Sequence, residues 1–325
     1  MNNKPQNITI LGAGAWGQAL AHLAAINQHT VRLWSRHSPV SLEDTLANTD
    51  IILCAISMKG VRDVANLVNS VNEKSLKNTI VVTATKGLEP HTTYTPSQIW
   101  ETIFPHQPVV VLSGPNLSKE IEQKLPAATV VASKNVVAAQ QIQLVFSSQQ
   151  FRVYTNPDPV GVELGGTLKN VIAIAAGVCD GLHLGTNAKA ALVTRGLTEM
   201  VRIGNTLGAK TETFYGLSGL GDLLATCNSP LSRNYQVGYQ LANSKTLPEV
   251  LSSLSGTAEG VNTCRVLMEI AQKHSIAIPI TEQVYQLLAG EITPRQALDK
   301  LMLRDIKSEF DNFPVEQIWS RGEKC

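Results

Sequence analysis

The chain has 325 residues, of which 43% are hydrophobic, 16% charged and 5% aromatic, and its formal net charge is +1 at pH 7. This length and composition are typical of a soluble globular protein with room for two domains. The balanced charge argues against nucleic acid as a partner, and with no secretory leader and no run of about 18 apolar residues we expect a cytoplasmic protein without a membrane span.

The first half of the chain alternates short β-branched runs with helical patterns. The runs are NITIL (7–11), TVRLW (30–34), DIILCAI (50–56), TIVVTAT (79–85), PVVVLSG (108–114) and AATVVAS (127–133). Strands that are apolar on both faces and separated by helices are typical of a parallel sheet buried between helices. We therefore predict an α/β Rossmann-like N-terminal domain with a mostly parallel sheet over residues 1–155.

A glycine-rich loop follows the first predicted strand. Gly12, Gly14 and Gly17 form a G-x-G-x-x-G pattern that leads directly into a helical pattern. In such a loop the first glycine makes the tight turn, the second lets the backbone approach a pyrophosphate, and the third packs the helix on the strand. The pattern predicts nucleotide binding at the helix N-terminus, and the alternative is a turn that serves packing alone.

The second predicted strand ends in Ser35-Arg36-His37. An enzyme specific for NAD usually carries an acidic residue here, which binds the ribose hydroxyls. A cation and a hydroxyl can instead accept a 2′-phosphate, so we expect NADPH to be preferred over NADH. The alternative is that Arg36 is only a solvated charge in a loop.

Polar residues also follow the fourth and fifth predicted strands. Lys86-Gly87 comes after the strand at 79–85, and Ser113-Gly114-Pro115-Asn116 comes after the strand at 108–112. Ligands of open α/β sheets bind at the carboxyl ends of the strands. We therefore expect both loops to face a ligand.

The strand signal stops at Asn156-Pro157-Asp158-Pro159. Apolar residues at helical spacing then mark seven segments, at residues 161–177, 189–207, 217–227, 232–242, 258–274, 281–289 and 294–303. The second half therefore reads as an all-α C-terminal domain over residues 156–325.

The first of these helices carries a lysine in the middle of an apolar pattern. Lys169 is flanked at three and four positions by Gly165, Gly166, Ile172 and Ala173, and the small residues predict room for a ligand beside it. Burial lowers the pKa of a lysine toward neutrality, which suits proton exchange with a substrate oxygen. The alternative is that Lys169 extends to water from the edge of the helix.

The stretch GLSGLGDLLATCNSPLSRNYQ, residues 216–236, adds a second group of polar residues. Asp222 and Thr226 are four positions apart and share one face of a helix. Ser232 is a candidate N-cap, which puts Arg233 and Asn234 in the first turn of the next helix. A helix N-terminus with an arginine and an amide suits a phosphate monoester, whereas the alternative is ordinary capping with a surface charge.

The five cysteines are scattered and lack C-x-x-C spacing; they are Cys54, Cys179, Cys227, Cys264 and Cys325. This pattern argues against a metal site and against a disulfide framework. We expect reduced thiols that pack as small apolar side chains.

Seven motifs in order give the chain a family resemblance: GAGAWG, TKGLEP, LSGPNLSKE, ELGGTLKNVIAIAAGVCDGL, GLSGLGDLLATC, SRNYQVG and GTAEGVNT. Over nearly its whole length the chain resembles bacterial NAD(P)-dependent glycerol-3-phosphate dehydrogenase. The resemblance implies reduction of dihydroxyacetone phosphate to sn-glycerol 3-phosphate, a glycerophospholipid precursor, with NADH or NADPH. It also implies a homodimer.

The resemblance assigns roles to individual residues. Lys169 would be the general acid and base, Lys86 would orient the substrate carbonyl, and Asp222 would fix Lys169 and contact the substrate. The implied substrate-binding residues are Lys86, Gly114, Asn116, Lys169, Asn170, Asp222, Ser232, Arg233 and Asn234. The implied cofactor-binding residues are Gly12, Gly14, Ala15, Trp16, Gly17, Arg36, His37, Lys86, Ser118, Arg233 and Glu259.

The sequence departs from the family pattern in two places. First, a segment that usually follows the second strand is missing, because Ser35–Val40 leads almost directly into the start of the next helical segment, Ser41–Asp44. Second, Asn116 stands where threonine or serine is common. Two other readings stay open at this point. One is a related two-domain dehydrogenase of the 3-hydroxyacid or 6-phosphogluconate type, and the other is a catalytically silent NADP-binding sensor.

Overall fold

The computed structural model describes residues 4–72, 78–254, 256–305 and 308–309, so Cys325 lies outside the described residues. Within these ranges a sheet with its covering helices is followed by a group of helices without strands. The predicted order of an α/β Rossmann-like part and an all-α part is confirmed.

Among the described residues the sheet has seven strands: β1 (Asn7–Leu11), β2 (Thr30–Trp34), β3 (Ile51–Cys54), β4 (Ile80–Thr83), β5 (Val109–Ser113), β6 (Ala127–Ala132) and β7 (Phe151–Asn156). Their spatial order is β2-β1-β3-β4-β5-β6-β7. Every neighbouring pair is parallel except β5 and β6, which are antiparallel. The carboxyl ends of β1 to β5 therefore lie at one edge of the sheet.

Two strands differ from the sequence-based expectation. β6 is antiparallel to β5, with Leu112 paired to Val131. This was not predicted, because an apolar run indicates a buried strand but carries no information about its direction. β7 was not predicted. Phe151 and Val153 are buried while the residues between and after them are exposed, so this edge strand lacks the two-sided apolar pattern of the others.

In the described part of the chain, six α-helices accompany the sheet: α1 (Ala15–Ile26), α2 (Leu42–Leu46), α3 (Val61–Asn72), α4 (Pro96–Ile103), α5 (Ser118–Glu122) and α6 (Val136–Phe146). Neighbouring residues of a strand point to opposite faces, so Ile10 packs in one hydrophobic core and Leu11 in the other. Leu20 of α1 and Ile142 of α6 belong to the first core, and Trp100 of α4 belongs to the second. The sheet is thus the middle of three layers.

Between residues 156 and 305, the described residues form eight α-helices: α7 (Pro159–Gly181), α8 (Gly185–Thr206), α9 (Asp222–Cys227), α10 (Arg233–Ala242), α11 (Leu247–Ser253), α12 (Glu259–His274), α13 (Pro279–Leu288) and α14 (Pro294–Met302). The segment 217–227, expected as one helix, consists of a π-helical turn, Leu217–Gly221, that leads into α9. We refer to residues 217–221 as the π turn. α11 was not predicted, because its seven residues carry too short an apolar pattern.

α7 is the central helix of this second part. It is also long and apolar enough, by length and composition, to cross a membrane, although 94% of its most apolar window is buried inside the protein. The sequence pattern showed no such run because Glu163 and Lys169 interrupt it. α10 crosses α7 at close range: a Cβ on Gly238 would lie 1.8 Å from the carbonyl oxygen of Ile174. Glycine at this crossing fixes where the N-terminus of α10 lies relative to α7.

Candidate active site

The glycine-rich loop joins β1 to α1 with two packed glycines and one open one. Gly12 has a φ of +121°, and a Cβ there would lie 2.4 Å from the carbonyl oxygen of Ala55. A Cβ on Gly17 would lie 1.9 Å from the carbonyl oxygen of Gly12, whereas one on Gly14 would meet nothing within 4 Å. Gly14 is the N-cap of α1 and provides no side-chain hydrogen bond to the first backbone N–H groups. The N-terminus of α1 is therefore open to an anion.

The other residues assigned to the cofactor lie along the same edge of the sheet. The indole Nε1 of Trp16 donates a hydrogen bond to the carbonyl oxygen of Ala84, just past β4, at 3.2 Å. Ser118 is the first residue of α5. Arg36 and His37 are exposed in the turn after β2, the edge strand, on the far side of β1 from β3. The structure therefore keeps Arg36 and His37 apart from the lysines described next.

Lys169 is buried in α7, with 8% of its side chain exposed. Its Nζ lies 3.0 Å from Oδ1 of Asp222 and 2.5 Å from Oγ1 of Thr226. The alternative in which this lysine extends to water therefore does not hold. The pKa of Lys169 is lowered to about 8, mainly by burial; the carboxylate of Asp222 opposes this shift, and the positive charge of Lys86 contributes to it.

Lys86 reaches the same carboxylate from the sheet. Its Nζ lies 2.5 Å from Oδ2 of Asp222 and donates to the carbonyl oxygen of Gly114 at 3.4 Å. The side chain of Asp222 is 3% exposed and that of Lys86 is 22% exposed. One buried carboxylate therefore links two ammonium groups from the two halves of the chain, and solvent reaches the site beside Lys86.

The small residues around Lys169 do not leave space for a ligand, and that expectation was wrong. A Cβ on Gly165 would lie 2.8 Å from a carbonyl oxygen of the π turn, and one on Gly166 would lie 2.2 Å from Oγ of Ser113 and 3.2 Å from Cε of Lys86. Protein atoms fill the space. Gly165 instead lets the π turn pack closely against α7. Gly166 lets Lys86 do the same, which brings Lys86 to Asp222.

Thr226 was noted for its spacing but was not among the predicted site residues. Its Oγ1 donates to Oδ1 of Asp222 at 3.2 Å and accepts from Lys169. The four-residue spacing to Asp222 was the signal that could have identified it. π-helical turns are frequent at functional sites, and the π turn here leads directly into Asp222, the first residue of α9.

The N-terminus of α10 gathers the predicted phosphate-binding residues. Ser232 is its N-cap, and its Oγ accepts a hydrogen bond from the backbone N of Tyr235 at 3.2 Å. The guanidinium of Arg233 lies against Gly256, since a Cβ there would be 2.3 Å from a terminal nitrogen of the arginine. Asn234 is buried, and its Oδ1 accepts from the backbone N of Gly260 at 3.0 Å.

Asn170 and Glu259 connect this helix end to the rest of the site. A Cβ on Gly260 would lie 2.7 Å from the carbonyl oxygen of Asn170, so α7, α10 and α12 meet there. Oε1 of Glu259 accepts from the backbone N of Met58, which follows β3, at 3.4 Å. Burial raises the pKa of Glu259, while the bond from Met58 and the charge of Arg233 oppose the shift.

Asn116 is tied to the sheet rather than extended toward the lysines. Its Nδ2 donates to the carbonyl oxygen of Ala128 at 3.1 Å, and its Oδ1 accepts from Oγ1 of Thr129 at 2.8 Å. Both ends of this amide therefore bind β6. The loop contacts Lys86 through the carbonyl oxygen of Gly114.

Two further chemical features concern ligands. Oγ of Ser113 is buried without a hydrogen-bond partner in the described part of the chain, next to Gly166. Among the same residues, no group of three or more His, Cys, Asp or Glu side chains is placed to hold a metal ion. Cys54, Cys179, Cys227 and Cys264 are buried free thiols.

Comparison with protein families gives matches over both halves of the chain. The model described as NAD-dependent glycerol-3-phosphate dehydrogenase C-terminus matches residues 158–299. The corresponding N-terminus model matches residues 7–41 and 37–139. The two N-terminal pieces overlap at residues 37–41, just after β2, which is where the sequence analysis predicts a missing segment.

Individual relatives align over almost the full chain. A glycerol-3-phosphate dehydrogenase [NAD(P)+] of Nostoc sp. is 72% identical over 304 residues, which cover 94% of this chain and 98% of the relative. A glycerol-3-phosphate dehydrogenase [NAD(P)+] of Synechocystis sp. is 58% identical over 311 residues, which cover 96% of this chain and 98% of the relative. The crystal structure of glycerol-3-phosphate dehydrogenase from Coxiella burnetii superposes with a TM-score of 0.88 at 35% identity, covering 92% of this chain and 99% of that one.

Proposed function

Because this chain belongs to the NAD-dependent glycerol-3-phosphate dehydrogenase family, we propose that it reduces dihydroxyacetone phosphate to sn-glycerol 3-phosphate with NADPH or NADH. The product serves glycerophospholipid synthesis. The observation that carries the proposal is the buried Lys169, which shares the carboxylate of Asp222 with Lys86 and has a pKa lowered to about 8.

Lys169 acts as the general acid of the reduction and as the general base of the reverse reaction. Its Nζ donates a proton to the oxygen at C2 of the ketone, or removes it from the alcohol. With a pKa of about 8, both protonation states of this lysine are populated near neutral pH, which suits proton transfer in either direction. Such catalysis typically contributes about 10²- to 10⁴-fold to the rate.

The neighbouring residues hold this lysine and the substrate. Asp222 and Thr226 fix the Nζ of Lys169 from two sides, at 3.0 and 2.5 Å. Lys86, on the more exposed side, donates a hydrogen bond to the carbonyl oxygen and polarises it. The position of Asp222 between the two lysines keeps both ammonium groups close together despite their mutual repulsion.

The N-terminus of α10 holds the substrate phosphate. Ser232, Arg233 and Asn234 supply a hydroxyl, a guanidinium and an amide at a helix end, where backbone N–H groups and the helix dipole favour an anion. Asn170 and the loop of Gly114 and Asn116 complete the substrate site. A substrate without phosphate would leave Arg233 without an anionic partner.

The loop at the start of α1 fits a dinucleotide, because Gly14 faces open space and the helix N-terminus has no side-chain cap. Gly12, Gly14, Ala15, Trp16 and Gly17 would hold the pyrophosphate. Arg36 and His37 would bind the adenosine end, and the remaining contacts would come from Lys86, Ser118, Arg233 and Glu259. The bound coenzyme supplies the hydride for C2. The exposed Arg36 favours NADPH over NADH.

Steady-state oxidation of NADPH and NADH by the purified protein tests this function. Dihydroxyacetone phosphate is compared with dihydroxyacetone, and Lys169→Ala with the unaltered chain. Turnover that depends on the phosphate and falls by at least about 10²-fold in the variant supports the assignment. Tight coenzyme binding without turnover would contradict it and favour a sensor, and turnover of a substrate without phosphate would favour a hydroxyacid-type dehydrogenase.

The domain division, assembly and location belong to the same proposal. We propose a boundary at residues 155 and 156, which is supported by the end of β7 at Asn156 and the start of α7 at Pro159. We also propose a homodimer in the cytoplasm, with no nucleic-acid partner and no insertion into a membrane. Light scattering of the purified protein at several concentrations tests the dimer, and a monomeric mass throughout would exclude it.

A further inference from the structure

The loop that carries Lys86 is attached to the helical part of the protein, although it connects two elements of the sheet part. We define the Lys86 loop as residues 86–95, between β4 and α4. The backbone N of Gly87 donates to Oγ1 of Thr167 on α7 at 3.0 Å. Nδ2 of Asn262 on α12 donates to the carbonyl oxygen of Leu88 at 3.2 Å. The side chain of Leu88 is fully buried in the hydrophobic core of the C-terminal helices.

The far end of the Lys86 loop is held by Glu163, a buried carboxylate of α7. Oε1 of Glu163 on α7 accepts from the backbone N of Ser97 at 2.9 Å, and Oε2 accepts from Oγ of Ser97. Ser97 lies in the first turn of α4, directly after the loop. Glu163 is 2% exposed and lies one helical turn before Thr167, so both residues point toward the loop from one face of α7.

We propose that Glu163 is a positioning residue for the reaction: by holding the start of α4 against α7, it fixes Lys86 opposite Asp222 and Lys169. The kinetic part of this inference rests on the proposed function. The structural part, that Glu163 determines where Lys86 lies, does not.

The N-terminus of α4 is only partly capped by its own residues. Thr95 is its N-cap, and the side chains of Thr95 and Gln98 form a reciprocal capping box with each other's backbone N–H groups. The capping box bonds the backbone N–H groups of Thr95 and Gln98, whereas Glu163 bonds that of Ser97 between them and so ties this helix end to α7. Burial raises the pKa of Glu163 to about 7, while the bonds from Ser97 and Thr95 oppose the shift.

Glu199 provides a matched control. It is also a buried carboxylate with a pKa raised to about 7 by burial. It accepts from the backbone N of Ile280 at 2.6 Å, and from the backbone N and Oγ1 of Thr281 at 3.1 and 3.0 Å, at the start of α13. Glu199 thus makes the same kind of bond within the helical part, with no contact to the Lys86 loop among the described residues.

The first test measures the accessibility of the Lys86 amine without any turnover. The unaltered full-length protein and its Glu163→Gln and Glu199→Gln variants are treated with a lysine-acylating reagent. The modification rate at Lys86 is followed in each by peptide mass spectrometry. The ion pair with Asp222 protects Lys86, so we expect Glu163→Gln to raise its modification rate by about 10-fold, whereas Glu199→Gln changes it by less than about 2-fold. Equal rates in all three proteins overturn the inference, whether or not the enzyme turns over the ketone.

The second test asks whether Glu163 acts through Lys86. A misplaced catalytic group can cost about 10²-fold, so we expect Glu163→Gln to lower kcat/KM by about 10- to 100-fold. In a Lys86→Ala background the same change should lower it by less than about 2-fold, since coupled residues are not additive. Equal losses in both backgrounds overturn the inference. If Glu163→Gln does not fold, Ser97→Ala is used instead; it removes the hydroxyl bonds to Glu163 and Thr95 but keeps the backbone bond to Glu163. This variant must increase Lys86 modification, and an unchanged rate there also overturns the inference.

Discussion

Replacement of Asp222 by asparagine tests the electrostatics of the site most directly. Oδ1 of Asp222 lies 3.0 Å from Nζ of Lys169, and Oδ2 lies 2.5 Å from Nζ of Lys86. The amide keeps the shape but removes the negative charge between two cations. An opposite charge at this distance raises the pKa of a lysine by about 1–3 units, so its loss lowers the pKa of Lys169 from about 8 to about 5–7.

The sign of the effect on the rate follows from the role of Lys169. Reduction of the ketone needs the protonated lysine, which is present below its pKa and is lost as the pH rises through that value. With a pKa near 8 about 90% of the lysine is protonated at pH 7, and with a pKa near 6 only about 10% is, so protonation alone costs about 10-fold at pH 7. That part of the loss should be recovered at about pH 5.5, whereas any loss from altered geometry should remain.

The assay is the pH profile of kcat/KM for the reduction, measured for the unaltered protein and for Asp222→Asn. Thr226→Val, which removes a hydrogen bond to Lys169 but no charge, should move the profile less than Asp222→Asn does. Asp180→Asn is a control at another carboxylate–lysine pair, where Nζ of Lys189 lies 2.6 Å from Oδ2 of Asp180, and should leave the profile in place. If kcat/KM of Asp222→Asn still falls near pH 8, or falls only at higher pH, the reasoning is refuted.

Three other predictions concern phosphate, coenzyme and stability. With coenzyme at saturation, Arg233→Ala should raise KM for dihydroxyacetone phosphate by about 10- to 100-fold, because a charge-assisted hydrogen bond is lost, and should affect kcat/KM for dihydroxyacetone much less; equal effects on both substrates would contradict a phosphate contact. Arg36→Ala should raise KM for NADPH by about 10-fold and leave KM for NADH nearly unchanged, and a parallel change in both would count against a 2′-phosphate contact. The carboxyls of Glu163 and Glu199 have pKa values raised from 4.5 to about 7 in the folded protein, so the unfolded chain releases their protons at lower pH. The free energy of unfolding should therefore decrease as the pH rises from about 4.5 to about 7, by up to about 3 kcal/mol for each group. Chemical denaturation across this range should show a shallower decline in each Glu→Gln variant, and an unchanged slope would refute the linkage.

Local sequence patterns were enough to predict most of the fold. β1 to β6 each coincide with a predicted apolar run, and the glycine-rich loop lies between β1 and α1 as its spacing indicated. Ser232 caps α10 as predicted, because an N-cap depends on residues only a few positions apart. β7 and α11 were missed because neither has a long periodic pattern. The antiparallel direction of β6 could not be predicted, since it depends on the path of the chain between strands.

The sequence by itself determined the kinds of elements, the nucleotide-binding pattern, the polar residues and the family. Only the tertiary structure decided how those residues are used. Gly165 and Gly166 were expected to make room for a ligand, but they admit the π turn and Lys86. Lys86, Lys169 and Asp222 come from distant parts of the chain, and their convergence depends on how α7 packs between the sheet and α9. Spacing along the chain reports contacts within one helix or strand, whereas a buried ion pair, its pKa values and the bond between Glu163 and the Lys86 loop depend on contacts that exist only after the elements have packed together.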